Sequence, residues 1–163
     1  MQEYSYREHR LIGEVYYIFP GTALGVTEGP VLFKCNGWYY LITAEGGTEY
    51  NHAVTLARSR QITGPYEVHP TNPVLTSAHN PDLYLQKAGH GSVVSTPDGR
   101  WYLTHLAGRP LTTRGRCTLG RETCLQEVVW HEDGWLYLKS GGNEPQVQIE
   151  APDSVSYTHL TLP

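Results

Sequence analysis

Four short segments of the chain set chemically capable residues beside residues that free the backbone. Thr27-Glu28-Gly29-Pro30 places a carboxylate where a strand is predicted to begin, behind the loop Gly21–Gly25. A carboxyl desolvated at a strand end has a raised pKa, which suits a general acid near neutral pH. A surface glutamate preceding a turn would have the same local sequence. In Thr43-Ala44-Glu45-Gly46-Gly47-Thr48 the paired glycines let a backbone approach a ligand, and Thr48 adds a hydroxyl that both donates and accepts. The alternative is a glycine-rich loop with no ligand. Ala88-Gly89-His90-Gly91-Ser92 puts His90 between glycines at the start of a strand, either pointing into a pocket or hydrogen-bonded as a structural residue. In Cys117-Thr118-Leu119-Gly120-Arg121-Glu122-Thr123, Arg121 offers a forked donor to a sugar or a carboxylate, although a surface arginine is the default. The preceding charges Arg109, Arg114 and Arg116 read as a solvated loop.

Other chemistries lack their signatures. There is no HExxH and no second histidine at ligand spacing, no GxSxG, no GxGxxG and no GxxxxGK[ST]. Cys35, Cys117 and Cys124 are an odd number without a CxxC pair, which argues against a disulfide framework or a zinc ribbon. With 12 Lys+Arg against 16 Asp+Glu the chain has no basic stripe for a nucleic-acid surface. The longest apolar runs are only a few residues, as in Pro30–Phe33, too short for a membrane helix, and Met1–Arg10 has no secretory apolar region. At 163 residues, 39% of them hydrophobic, there is room for one domain or part of a larger one.

The elements that must position these residues are strands. Twelve Tyr and four Trp, interrupted by 17 Gly and 11 Pro, leave no window with a sustained helical period. Three hairpins are predicted: Val31–Lys34 to Trp38–Thr43 through Asn36-Gly37, Ser92–Ser95 to Trp101–Leu106 through Asp98-Gly99, and Glu127–Trp130 to Trp135–Leu138 through Asp133-Gly134. A fourth pairing joins Ala53–Arg58 to the strand after Gly64-Pro65-Tyr66-Glu67. Trp38, Trp101 and Trp135 open the second strands, where core packing is their expected role. The turn glycines Gly37, Gly99 and Gly134 are about sixty and then about thirty-five residues apart. This loose repeat favours propeller blades over a sandwich. The predicted fold class is all-β, about two and a half to three blades of four antiparallel strands. Residues 1–153 are assigned to it. Residues 154–163, ending Tyr157-Thr158-His159-Leu160-Thr161-Leu162-Pro163, resemble a translated sequencing adapter and are expected to be a non-native tail.

Taken in order, Thr27–Pro30, Gly37-Trp38-Tyr39-Tyr40-Leu41, Ala44–Thr48, His52-Ala53-Val54-Thr55, Ala57-Arg58-Ser59, Gly64–Glu67, Gly89–Ser92 and Leu119–Thr123 resemble glycoside hydrolase family 43, in particular its β-xylosidase branch. The likeness runs from Gln2 to Pro152. It implies part of a five-bladed β-propeller from an inverting exo-glycosidase that releases xylose, or arabinofuranose, from oligosaccharides. By position, Glu28 matches the general acid and Thr48 a residue lining the terminal-sugar subsite. Cys117 and Arg121 match residues of the same pocket, and His90 matches the central histidine that holds a water or calcium near the axis. The likeness implies no required cofactor, with calcium near His90 as the one metal it allows.

The resemblance also implies a second carboxylate, an aspartate acting as base, on a blade preceding Met1. The four aspartates present, Asp82, Asp98, Asp133 and Asp153, do not match it. The expectation is therefore a glycosidase fragment that is inactive alone, acting as part of a larger protein on xylo-oligosaccharides or arabinosides, with no nucleic-acid or membrane partner. The alternative is a non-catalytic carbohydrate-binding or structural propeller piece. Free cysteines and the intracellular habit of the resembled branch point to the cytoplasm.

Overall fold

A computed structural model describes residues 1–152, and the tail assigned to residues 154–163 lies outside them. The described residues form strands and loops with no helix. Two of the strands, β1 (Glu3–Ser5) and β2 (Arg10–Ile12), make an antiparallel hairpin with Tyr4 opposite Leu11. Next come β3 (Glu28–Cys35), β4 (Trp38–Glu45), β5 (Ala53–Ser59) and β6 (Glu67–Val68), paired in that order, with β7 (Leu75–Thr76) also against β5. The second large sheet is a four-stranded meander of β8 (Gln86–Ser95), β9 (Trp101–Gly108), β10 (Glu122–Trp130) and β11 (Leu136–Leu138). Two meanders and a hairpin agree with about two and a half blades.

Local chemistry explains the predicted hairpins. Between β3 and β4, Asn36 (φ 47°) and Gly37 (φ 76°) both take the left-handed conformation that a two-residue turn of matching twist requires. Alternation along β4 and β5 sends Ile42, Val54 and Leu56 toward Leu103, Val128, Leu136 and Leu138 of the second sheet, and this shared layer is the core. Each such aliphatic side chain contributes roughly 1.5–3 kcal/mol on burial.

Aromatic side chains join the blades at one end. Tyr40 stacks on Phe33 at 5.3 Å and meets Trp130 at 4.9 Å, and Trp130 meets Trp101 edge-on at 5.4 Å. The Tyr40 hydroxyl donates to the Gly134 carbonyl, in the last turn of the second blade. The Arg58 guanidinium lies 4.3 Å from the Trp38 ring and 4.0 Å from the Trp135 ring, and donates to the Asp133 carbonyl at 2.8 Å. The three strand-opening tryptophans are thus packing residues, as expected.

One loop leading to the candidate site depends on a glycine. Gly46 has φ +77°, and a Cβ there would lie 1.9 Å from the Asn51 carbonyl oxygen. Gly46→Ala is expected to destabilise the chain by at least about 2 kcal/mol, from left-handed strain plus backbone overlap. Equal urea midpoints for the two proteins would refute this.

Candidate functional site

Glu28 is the first residue of β3, opposite Ala44, and a bulge separates that pair from Val31–Ile42. The bulge is at Gly29, which has φ +54°. Glu28 is exposed, at the rim of an apolar cleft of about 380 Å³ lined by Tyr16, Tyr17, Phe19 and Leu41 among others. This corrects the expectation of a desolvated carboxyl: within these residues nothing closes over that face.

The loop before Glu28 is tied down by a carboxylate the sequence did not single out. Glu45, fully buried at the end of β4, accepts from the Thr22 backbone N–H at 3.0 Å and from the Thr22 hydroxyl. The Gly46 N–H donates to the Gly25 carbonyl at 2.8 Å. Residues 22–25 are therefore clamped to the end of β4, which fixes the path into Glu28. The available signal was a charged residue ending an otherwise apolar strand, read there only as part of a glycine-rich loop.

His90 reaches Glu28's neighbour through a second irregular strand. The β8–β9 register shifts between Gln86 and Gly89 and again between Gly89 and Ser92, with Lys87 and His90 both at φ 56°. These bulges turn the His90 ring onto Gly29, where a Cβ would lie only 2.8 Å from Cε1 and Nε2. The ring can rest there because Gly29 carries no side chain. Among the described residues no three His, Cys, Asp or Glu side chains gather to hold a metal ion.

Thr48, Cys117 and Arg121 come together. They line one cleft of about 400 Å³ with Glu49, Lys87, Gly108, Arg116 and Gly120. Cys117 packs its sulfur on Gly108, where a Cβ would meet Sγ at 2.8 Å. Lys87 pairs with Glu49 at 2.5 Å, and this hydrogen bond holds the lysine's pKa above its ordinary value. Glu28 and His90 do not line this cleft. Electrostatics nevertheless links the two groups: His90, Arg121 and Glu28 all act on the buried imidazole of His52.

The loop carrying Cys117 and Arg121 is stapled: Arg114 and Arg116 are exposed, as the sequence reading has them, but Arg109 and Arg114 also hold the loop to its neighbours. Arg109 and Glu122 close its base in a bidentate ion pair, with Nε to Oε2 at 2.6 Å, and this holds the Glu122 carboxyl below its ordinary range. Arg114 lies over the Tyr50 ring and donates to the Ala78 carbonyl at 3.1 Å, while the Tyr50 hydroxyl donates to the Gly115 carbonyl at 2.6 Å. Each partner is remote in sequence, so composition could not show the pairing.

None of the three described aspartates lines the cleft beside Glu28 or the cleft of Thr48, Cys117 and Arg121. Asp98 pairs with Arg100, and Asp133 accepts from the Trp135 N–H at 2.9 Å and the Tyr137 hydroxyl at 2.8 Å, both in hairpin turns. Asp82 is exposed in the loop after Asn80, and Asp153 lies outside the described residues.

The sequence model of glycosyl hydrolases family 43 matches residues 1–136. This chain belongs to that family. It is 55% identical over 152 residues to the xylosidase/arabinosidase 43B of Humicola insolens, covering 93% of this chain and 28% of that protein. It is 51% identical over 160 residues to a beta-xylosidase of Bacillus subtilis, covering 93% and 30%. The crystal structure of a xylan beta-1,4-xylosidase from Bacillus halodurans superposes with a TM-score of 0.92 at 55% identity, over 99% of this chain and 31% of that one. The chain spans about a third or less of the length of these relatives. In family 43 terms its two meanders are blades of a five-bladed propeller. Glu28 and His90 lie on the first strand of each.

Proposed function

We propose that this chain supplies the general-acid side of an inverting, exo-acting glycoside hydrolase that releases xylose or arabinofuranose from the ends of xylo-oligosaccharides. Glu28 is the acid. Its carboxyl protonates the departing glycosidic oxygen while a water attacks the opposite face of the sugar, activated by a second carboxylate about 6.5–9.5 Å away. That base is an aspartate outside these 163 residues. Arg121, Thr48 and Cys117 bind the terminal sugar, with the guanidinium fork donating to hydroxyls and the threonine hydroxyl able to donate or accept.

The observation carrying this reading is the family match together with Glu28 at a bulge on the first strand of its blade, beside the His90 ring. Two supports are independent of it. None of the three described aspartates lines either cleft and two of them are engaged in turns, which supports placing the base in another part of the protein. The relatives are named xylosidase, beta-xylosidase and arabinosidase, which supports the choice of sugar.

The test is a graft: residues 1–152 replace the matched segment of the Bacillus subtilis relative, restoring the remaining blades. The grafted enzyme is expected to release xylose from xylobiose, and the 163-residue chain alone to leave nitrophenyl xyloside intact. A folded graft without turnover would sink the reading. Turnover by the isolated chain, abolished by Glu28→Gln, would refute a base elsewhere.

A further inference from the structure

We propose that His52 is a positioning residue for the Glu28 site: donating from Nδ1 to the Lys87 carbonyl, it fixes the bulge of β8 that seats the His90 ring on Gly29. The proposal rests on the reading of Glu28 as the acid. Lys87 and His90 both take a left-handed φ of 56°, a conformation that residues with a Cβ keep only when their surroundings over-determine it. His52 provides that constraint. Its Nδ1 is 3.0 Å from the Lys87 oxygen, and its ring occupies the space beside Gly89, where a Cβ would lie 2.4 Å from Cδ2 and Cγ. The residue preceding His90 is therefore trapped by the same imidazole that holds Lys87.

His52 is itself immobilised. Its N–H donates to the Glu49 carbonyl at 3.0 Å, and its carbonyl accepts from the Thr76 hydroxyl at 2.8 Å. The side chain is fully buried just before β5, so its ring transmits the position of the first blade to the first strand of the second. Chemistry dictates the tautomer. A carbonyl only accepts, so Nδ1 carries the proton and Nε2, which has no partner among the described residues, keeps the lone pair. Burial first, then the charges of His90 and Arg121, lowers the imidazole's pKa, while the hydrogen bond to the Lys87 carbonyl acts the other way and raises it.

The experiment separates the bond from bulk packing. On the 163-residue chain, NMR reads the nuclear Overhauser contact between His90 Hε1 and the Gly29 α-protons, and imidazole nitrogen shifts give the His52 tautomer. His52→Asn carries an amide donor close to the position of Nδ1 and is expected to keep the contact. His52→Gln carries its donor one bond further out, and His52→Leu has none; both are expected to lose it while the β9–β10 amide signals persist. If His52→Leu does not fold, the Asn and Gln variants decide. In the grafted enzyme, His52→Gln is expected to lower kcat by about 10²-fold with little change in KM, and His52→Asn to restore it. An Nε2–H tautomer, or Asn and Gln variants that behave alike, would overturn the proposal. A graft without activity whose NMR contacts follow the expected order would sink the assignment of function and leave the positioning intact.

Discussion

Glu28→Gln in the grafted enzyme is expected to slow xylose release from xylobiose by about 10²–10⁴-fold, and to slow release from dinitrophenyl xyloside far less. The asymmetry follows from what an acid does. A sugar alkoxide is a poor leaving group and departs only with a proton, whereas a dinitrophenolate departs without one. Glutamine keeps the size of the side chain and can still donate a hydrogen bond, but it cannot transfer a proton. Substrate affinity should change little, because glutamine preserves the shape and hydrogen-bonding reach of the side chain. Equal losses on both substrates would mean that Glu28 positions the sugar and that the acid lies elsewhere.

Acidification from about pH 6.5 to 4 is expected to remove roughly 6 kcal/mol of stability from the chain, from two buried histidines. His69 packs edge-on against Trp135 at 4.9 Å and Tyr137 at 4.7 Å, and burial lowers its pKa to about 4. His105 is fully enclosed beside Gln126, and burial likewise lowers its pKa to about 4. In both cases the folded-state pKa is depressed, so the unfolded chain binds the proton first. The stability that neutral burial represents is therefore complete above the unfolded pKa near 6.5. It is lost progressively as pH falls toward 4, at about 3 kcal/mol for each histidine. Against a usual total of about 5–15 kcal/mol, that is enough to unfold a marginal protein. Glu122, held down by Arg109, and Asp133, held down by the Trp135 N–H, lose their contributions at lower pH. Urea midpoints are expected to fall continuously across this range, and a flat profile between pH 6.5 and 4.5 would contradict the histidine assignment.

The two expected results differ in how far their residues could be read in advance. Glu28 stood out because a carboxylate, a glycine and a proline follow one another at the mouth of a strand, and a motif series in order gave it a family context. His69 and His105 carried no comparable signal. A histidine is neutral and buried only because of what other strands bring against it, here Trp135 and Tyr137 in one case and Gln126 in the other. The same holds for Glu45, whose partner Thr22 is 23 residues away, and for Arg58, whose contact at Asp133 is 75 residues away.

Turn chemistry and period-two alternation are local properties, and they alone determine the hairpins of this protein. Asn36-Gly37, Asp98-Gly99 and Asp133-Gly134 reverse the chain because those residues tolerate positive φ or bond their own backbone. The tryptophan- and tyrosine-opened strands that follow pack where a half-buried pleat wants aromatic surface. Tertiary structure alone decided where the bulges of β3 and β8 fall, and with them the meeting of Gly29 and His90, the enclosure of His52 and the stapling of the Arg109–Arg121 loop. A bulge is a compromise between two strands and the layer packed against them, so its place is a property of the assembled blades rather than of any one segment.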